Sequence, residues 1–153
     1  MLTIRTARKD EVEDLQKLNA AVCIDNHRYD EDLVMDWSYT EKAKEYFTKI
    51  LNNPDAFCLI AEDDGKKIGY LAANKKIFGH RKSRYFEVEN IGVVSEYRSK
   101  GIGTKLLKKS IAWGKKKGFQ KVFLDAYIGN TNAIQFYKKN GFTEIGISFE
   151  KKI

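Results

Sequence analysis

Residues 93–104 read VVSEYRSKGIGT, and this stretch decides the fold class. An apolar run ends at two valines, a short basic turn follows, and a helix begins among Gly101 and Gly103. Glycine lets backbone amides approach a ligand closely, and the first turn of a helix presents N–H groups that have no intrahelical partner. Such a helix start attracts phosphate groups, and Arg98 and Lys100 add full positive charges. The stretch therefore predicts a pyrophosphate site, although an ordinary strand-to-helix turn would use glycine for packing in the same way.

This turn differs from the two common nucleotide-binding motifs. No GxxxxGK[ST] sequence occurs in the chain, so a P-loop is excluded. The third glycine of the dinucleotide fingerprint is also missing from the stretch. The basic turn therefore belongs to neither the P-loop motif nor the dinucleotide-binding motif.

Hydrophobic periodicity and turn residues on both sides of the stretch predict the element order β-α-α-β-β-β-α-β-α-β. Asp63-Asp64-Gly65-Lys66 is typical of a hairpin turn between two of the strands. The predicted strands are residues 2–7, 56–62, 68–78, 85–94, 122–127 and 142–150, and the predicted helices begin at Asp10, Thr40, Gly101 and Asn132. This order predicts an α/β (α+β) fold in a single domain over residues 1–153. The central sheet would be mixed and mostly antiparallel, with helices on its faces.

Composition narrows the class of protein. The chain has 153 residues and is 42% hydrophobic, which is enough for one domain with a real core and excludes a disordered chain. The longest apolar run, Ala56 to Ala61, is far shorter than the ~18 residues that span a membrane, and no hydrophobic segment follows Met1. Cys23 and Cys58 form no CxxC pair and are typical of buried thiols in a reducing compartment. We therefore expect a cytoplasmic protein without a membrane partner.

Positive charge is unevenly distributed along the chain. Lys and Arg total 28 against 21 Asp and Glu, for a net charge of +7. Residues 1–36 hold nine acids against five bases, whereas residues 97–121 hold nine bases and no acid. The nine bases are Arg98, Lys100, Lys105, Lys108, Lys109, Lys115, Lys116, Lys117 and Lys121. Such a run is either a solvated helix face or an anion site, and charge alone leaves both interpretations open.

A second motif lies at residues 130–142, which read NTNAIQFYKKNGF. Its first residues can cap a short helix, and its Asn-Gly pair would close that helix. Phe136 would face the core, and Tyr137, one position round the helix, would point elsewhere, into a cleft between strands. A buried packing residue is the alternative interpretation of Tyr137.

Together the two motifs resemble those of the GNAT N-acetyltransferase superfamily. That family has an [RQ]xxGx[GA] turn after its fourth strand, which Arg98 to Gly103 match, and an NxxAxxFYxxxGF segment, which Asn130 to Phe142 match. The predicted element order is also that of the family, so the resemblance covers essentially the whole chain. It implies a GNAT-like fold and an acetyl-CoA-dependent N-acetyltransferase, an acyltransferase. Such an enzyme acts on a primary amine of a small molecule or peptide by direct attack in a ternary complex.

The resemblance implies acetyl-CoA as the co-substrate, with a set of contacts to it. The implied pyrophosphate ligands are the amides of Arg98, Ser99, Lys100, Gly101, Ile102, Gly103 and Thr104. In such enzymes the backbone of the fourth strand, here Ile91, Gly92 and Val93, pairs with the pantetheine arm, and Asn130 would contact the cofactor. Dimers through the last strands are common in proteins that look like this, so the resemblance also implies a homodimer.

Acetyl transfer requires a group that removes a proton from the acceptor amine. An amine with a pKa near 10.4 is mostly protonated at pH 7, and removal of that proton costs about 4.6 kcal/mol. A carboxylate can accept it, directly or through water. Glu87 and Glu89 lie two apart on the fourth strand and would project to the same face, and Glu89 matches the position where some family members place their base. Glu89, Glu87 or a water chain could therefore accept the amine proton. Either glutamate could equally be a solvated strand residue.

Two further groups complete the mechanism that the resemblance implies. A backbone N–H near Gly92 or Val93 could stabilise the developing oxyanion. Tyr137 matches the tyrosine that protonates the CoA thiolate in many such enzymes, so Tyr137 is the implied general acid. Direct attack leaves no nucleophilic role for Cys23 or Cys58.

The acceptor side of the site is indicated by charge and composition. The segment from Asp25 to Trp37 lies between the first two helices, which in this family borders the acceptor site. Its acids and aromatics could receive a cationic amine. No metal is expected, because His27 and His80 have no partner spacing and the HExxH motif is absent.

Two other functions are compatible with parts of the pattern. A catalytically silent acyl-CoA sensor would keep the same fold and the same binding turn. A nucleic-acid-binding module would explain the net positive charge, but no recognised nucleic-acid motif occurs and the acidic first third would repel phosphate. We therefore expect no nucleic-acid partner.

Overall fold

Five strands and four α-helices form the fold, and the computed structural model describes residues 1–153. The strands are β1 (Leu2–Thr6), β2 (Ala56–Asp63), β3 (Lys66–Lys76), β4 (Tyr85–Val93) and β5 (Lys121–Phe123), and the helices are α1 (Val12–Cys23), α2 (Glu41–Asn52), α3 (Ile102–Lys116) and α4 (Thr131–Lys139). Short 3-10 turns lie at Asn26–Arg28, Trp37–Tyr39 and Ser95–Tyr97. The strands form one sheet in the order β1-β2-β3-β4-β5, in which only β4 and β5 pair in parallel. The predicted mixed, mostly antiparallel sheet is therefore confirmed.

Helices cover both faces of the sheet, and each face has its own apolar cluster. Leu71 and Ala73 of β3 belong to the cluster beneath α3, where Leu106 is fully buried. Tyr70 and Ala72, which alternate with them, belong to the cluster beneath α1 and α2. Neighbouring side chains of a strand point to opposite faces, so β3 contributes to both clusters. None of the helices combines the length and the apolar character that crossing a membrane requires.

Two local turn signals formed as predicted. In the turn between β2 and β3, Asp64 and Gly65 have left-handed φ values of 46° and 81°, which the Asp-Gly hairpin signal predicts. At the start of α2, the Thr40 hydroxyl accepts a hydrogen bond from the N–H of Ala43 at 3.3 Å. Both signals act within a few residues, so their outcome depends little on the rest of the chain.

The start of α1 lies one residue later than predicted, beside a buried ion pair. Asp10 does not cap α1; Glu11 occupies the N-cap position, and no side chain caps the helix. The Glu11 carboxylate is 1% exposed and accepts hydrogen bonds from two nitrogens of Arg5, at 2.7 and 2.9 Å, and from the N–H of Arg8, at 2.8 Å. Asp10 instead meets Arg8 Nε at the surface, at 3.3 Å. Helix α1 therefore begins at Val12, directly after Glu11.

The last predicted strand, residues 142–150, is wrong. Residues 142–153 form no strand, and the N–H of Phe142, which donates to the carbonyl of Tyr137 at 3.0 Å, makes the segment's one backbone hydrogen bond. The side chains of Ile145, Ile147 and Phe149 are 61%, 67% and 92% exposed. Alternation of apolar and polar residues is a local signal, whereas a strand also needs an edge to pair with, and β5 has only three residues. The fold class stands, with five strands instead of six.

Two irregularities of β4 shape its second half. Ala72 and Ala73 of β3 lie opposite Asn90 and Val88 of β4, so Glu89 is an extra residue in a β-bulge. On its other side, β4 pairs with β5 through only its first three residues. From Val88 onward the two strands part, and β4 keeps an open edge on that side.

Candidate active site

The basic turn folds back onto the end of β4. Arg98 Nε donates a hydrogen bond to the carbonyl oxygen of Val93 at 3.0 Å. Ser99 and Gly101 have left-handed φ values of 62° and 75°, a conformation that glycine adopts freely and other residues rarely. These two residues reverse the chain between the strand and α3.

The start of α3 presents free backbone amides. Gly101 is the N-cap, no side chain caps the helix, and the first helical hydrogen bond runs from the N–H of Lys105 to the carbonyl of Gly101 at 3.1 Å. The amides of residues 102–104 therefore have no protein acceptor. Helices α2 and α4 each have a side-chain cap, whereas α1, like α3, has none. An uncapped helix start carries a partial positive charge and suits a phosphate.

The open edge of β4 leads directly into this turn. Ile91, Gly92 and Val93, the predicted pantetheine contacts, pair with β3 on one side and with no strand on the other. A free strand edge can pair with an extended ligand as it would with another strand. Gly92 also has a packing role, because a Cβ atom there would lie 2.5 Å from the Cβ of Val22 on α1.

Helix α4 packs against the start of α3. A Cβ atom on Gly103 would lie 3.0 Å from Cζ of Phe136, so glycine permits the close approach of the two helices. Asn130 Oδ1 accepts a hydrogen bond from the N–H of Ala133 at 3.2 Å, which confirms the predicted cap. The side-chain nitrogen of Asn130 makes no hydrogen bond within the protein. That nitrogen is the part of Asn130 that can reach a ligand.

Tyr137 lies on α4 with its ring partly buried. Its ring centroid is 5.3 Å from that of Phe136 and 5.8 Å from that of Phe142. It packs against the same cluster as Ile91 and Val93, rather than pointing away from the core as predicted. Burial raises the pKa of the Tyr137 hydroxyl above its usual value of 10. The hydroxyl therefore keeps its proton at neutral pH.

The two glutamates of β4 have different environments. Glu89, in the bulge, receives a hydrogen bond on Oε1 from the hydroxyl of Tyr46 at 3.4 Å. Partial burial, together with the negative charge of Glu87, raises the pKa of Glu89, and contacts from Tyr46, Lys76 and Asn74 oppose that rise. Glu87 is paired with Lys76 Nζ at 3.1 Å. A carboxylate of raised pKa is the better proton acceptor, so the environment favours Glu89 over Glu87.

Tyr46 and Asn90 join the site although no motif contains them. Asn90 Nδ2 donates a hydrogen bond to the Tyr46 hydroxyl at 3.0 Å. Periodicity places Tyr46 on the core face of α2, and only the folded chain brings that face to β4. The one signal in the sequence is a hydroxyl group on an otherwise apolar helix face.

The segment between α1 and α2 lies beside these groups. At its beginning, the rings of Tyr29 and Tyr127 stack at 6.0 Å, and the Tyr127 hydroxyl donates to Asp30 Oδ2 at 3.1 Å. At its end, Trp37 lies edge-on to Tyr46 at 5.9 Å. The segment therefore connects the loop after β5 with the surroundings of Glu89.

Other candidate residues lie outside this arrangement. The lysines of the basic run are exposed: Lys105, Lys108, Lys109, Lys115, Lys116, Lys117 and Lys121. Both cysteines are free thiols, and burial raises the pKa of Cys58 to about 12. No group of three His, Cys, Asp or Glu side chains is placed to hold a metal ion.

One known protein family matches most of the chain. The Acetyltransferase (GNAT) family matches residues 23–142, which include β4, the basic turn and the second motif. The chain belongs to the GNAT family. The resemblance read from the two motifs is therefore confirmed, and the matched residues include the free edge of β4 and the uncapped start of α3.

Individual GNAT proteins give a finer comparison. An uncharacterized N-acetyltransferase of Methanocaldococcus jannaschii is 31% identical over 145 residues, which are 93% of this chain and 61% of that relative, so the chain spans about three fifths of its length. An N-alpha-acetyltransferase of Sulfurisphaera tokodaii is 30% identical over 151 residues, 94% of this chain and 81% of that relative. The solved structure of an aminoglycoside N-acetyltransferase in complex with CoA has a TM-score of 0.76 at 22% identity, over 99% of this chain and 95% of that chain. The last likeness shows the fold.

Proposed function

We propose that this GNAT chain is an N-acetyltransferase that transfers an acetyl group from acetyl-CoA to a primary amine by direct attack within a ternary complex. The observation that carries the proposal is the junction of β4 and α3. There an open strand edge continues into a left-handed turn and an uncapped helix start. An extended arm that ends in a pyrophosphate needs these two features in this order.

The residues at the junction fit CoA. Ile91, Gly92 and Val93 would pair with the pantetheine arm, and the amides of residues 99–104 would hold the pyrophosphate. The Arg98 amide, which was also predicted to contribute, is not among them, because that N–H donates to the carbonyl of Ser95 at 3.3 Å. The side chains of Arg98 and Lys100 would add charge. Asn130 would contact the ligand through its free amide nitrogen. Bound acetyl-CoA would supply the thioester carbonyl that the amine attacks.

Glu89 is the proposed base. It would take the proton that the acceptor amine must lose, directly or through water. Its raised pKa brings its proton affinity closer to that of the amine, and its side chain is open to solvent, which gives the proton an exit. Glu87 is the weaker candidate, because Lys76 neutralises it.

Tyr137 is the proposed acid. As the amine nitrogen forms its bond to the carbonyl carbon and the carbon–sulfur bond breaks, the sulfur takes up negative charge and needs a proton. The Tyr137 hydroxyl holds a proton under neutral conditions and would deliver it there. Tyr137 and the end of β4 pack on one apolar cluster, which supports their assignment to one site.

The acceptor is proposed to be a cationic primary amine. The segment between α1 and α2 carries four exposed acids that would attract a positive charge toward Glu89, namely Asp25, Glu31, Asp32 and Asp36. The relationship to an N-alpha-acetyltransferase favours the α-amine of a peptide. A small polyamine or aminoglycoside is the second candidate, because one neighbour of the same fold is an aminoglycoside enzyme.

Release of free CoA thiol with a panel of amines tests the proposal. The panel contains peptides with free N-termini, polyamines, aminoglycosides and amino acids, and the same peptides with blocked N-termini are the matched controls. We expect thiol release with at least one free amine and none with the blocked peptides. CoA binding by calorimetry without thiol release from any amine would instead identify a silent acyl-CoA sensor.

A further inference from the structure

Tyr46 is held in one place by the aromatic rings around it. Its ring lies edge-on to Trp37 at 5.9 Å and to Phe47 at 5.0 Å. Phe47 is fully buried, so this part of α2 is anchored in the core. The hydroxyl of Tyr46 therefore has a defined position beside β4.

The hydrogen bonds of that hydroxyl have a defined direction. Asn90 Nδ2 donates to the Tyr46 hydroxyl at 3.0 Å, and an amide nitrogen can only donate. The hydroxyl oxygen is thus the acceptor of that bond, and its single proton remains available for Glu89 Oε1 at 3.4 Å. Adjacent residues of a regular strand point to opposite faces, so the bulge explains how Glu89 and Asn90 both reach one hydroxyl.

We propose that Tyr46 is a positioning residue of the acetyltransferase site, whose hydroxyl, directed by Asn90, holds the carboxylate of Glu89 toward the acceptor amine. The inference rests on the proposed function, in which Glu89 is the base. It adds a specific contribution from α2, an element outside both sequence motifs.

The charged form of Glu89 depends on groups from three elements. Glu87 of β4 disfavours that form, while Lys76 and Asn74 of β3 and Tyr46 of α2 favour it. Loss of the Tyr46 hydroxyl removes one favourable contact and leaves the others in place. The pKa of Glu89 should then rise further, and more of the base would be protonated, and therefore inactive, under mildly acidic conditions.

The variant Tyr46→Phe tests this role, because it keeps the ring and removes the hydroxyl. We expect a lower kcat/KM at every pH, because the carboxylate is held less firmly, and an acidic limb that moves to higher pH with a further loss of about fivefold there. Tyr39→Phe is the matched control, since Tyr39 is 69% exposed and lies on the neighbouring 3-10 turn. Equal pH profiles for Tyr46→Phe and the wild type would overturn the inference.

A double-mutant cycle separates a positioning role from a structural one. If Tyr46 acts through Glu89, Tyr46→Phe should cause no further loss in a Glu89→Gln background. An equal loss in both backgrounds would show that Tyr46 acts on folding or packing alone and would overturn the inference.

A carboxyl titration by NMR on the free protein gives a readout that is independent of catalysis. Tyr46→Phe should raise the pKa of Glu89 there, and an unchanged pKa would overturn the inference. Full activity of Glu89→Gln would instead remove Glu89 as the base, a failure of the proposed mechanism that this titration distinguishes from a failure of the Tyr46 contact.

Discussion

Arg98 and Val93 are joined by a hydrogen bond of 3.0 Å from Nε of the guanidinium to the backbone carbonyl. The bond connects the first residue of the basic turn with the last residue of β4. The open strand edge and the free amides of α3 therefore keep a fixed spacing. A ligand that spans both features would meet a site already arranged for it.

Replacement of Arg98 by Ala removes both this tether and a positive charge beside the turn. We expect the Kd for CoA to rise about tenfold, because a charge-assisted contact is lost as well. Isothermal titration calorimetry measures it. Lys115→Ala is the matched control, because Lys115 is an exposed base at the far end of the same helix. A similar Kd for both variants would assign the effect to net charge alone.

Gly101→Ala should destabilise the protein, because φ at this position is 75° and a Cβ atom is strained in that conformation. The expected loss in the free energy of unfolding is about 1 kcal/mol. Urea denaturation measures the loss. Gly79→Ala provides the comparison, since a Cβ atom there meets nothing within 4 Å and φ lies outside the left-handed region. Equal stability of the two variants would contradict the argument from strain.

Tyr137→Phe should lower kcat about 100-fold and leave the Kd for CoA nearly unchanged, because the hydroxyl acts only on the departing sulfur. Steady-state thiol release measures kcat. The raised pKa also predicts that the activity of the wild type persists to higher pH than an ordinary tyrosine would allow, since the acid must be protonated to act. Unchanged turnover in the variant would remove Tyr137 as the acid.

Glu11→Gln should lower stability at neutral pH. Hydrogen bonds from Arg5 hold the pKa of the buried Glu11 carboxyl at about 2, below its usual 4.5. A depressed pKa stabilises the fold above the unfolded-state pKa, and that contribution disappears as the pH falls from 4.5 toward 2. The expected loss in the free energy of unfolding is about 3 kcal/mol at pH ~7 and little at pH ~2.

Urea denaturation at several pH values measures this loss, with the exposed Glu13→Gln as control. A loss that is independent of pH would refute the ion-pair explanation.

A homodimer remains a proposal that the C-terminal segment makes testable. Ile145, Ile147 and Phe149 form an alternating set of exposed apolar side chains in a segment that pairs with no strand. If a second copy covers them, Phe149→Asp should shift the protein from dimer to monomer in sedimentation velocity. Ile77→Asp, at an exposed apolar residue near the end of β3, should leave the dimer intact. A monomeric wild type would rule the dimer out.

The features that could be predicted from the sequence are those set by neighbouring residues. The hairpin at Asp64 and Gly65, the caps at Thr40 and Asn130, and the start of α3 at Gly101 all formed. Each is governed by backbone dihedral preferences or by a hydrogen bond that spans about three residues. Both motifs lie on such local features, and this explains why the family could be recognised before the fold was known.

The tertiary structure decided which groups meet. Tyr46 and Glu89 are 43 residues apart in the sequence. Their contact depends on how α2 packs on the sheet and on the β-bulge at Glu89, which no local sequence pattern predicts. Glu11, which forms a buried ion pair with Arg5, is the N-cap of α1 where Asp10 was predicted. Residues 142–150 have the alternation of a strand but pair with no other strand. Turns and helix caps depend on a few neighbouring residues. A paired strand, a buried ion pair or a carboxylate with a shifted pKa depends on a partner that is distant in sequence and that only tertiary packing brings near.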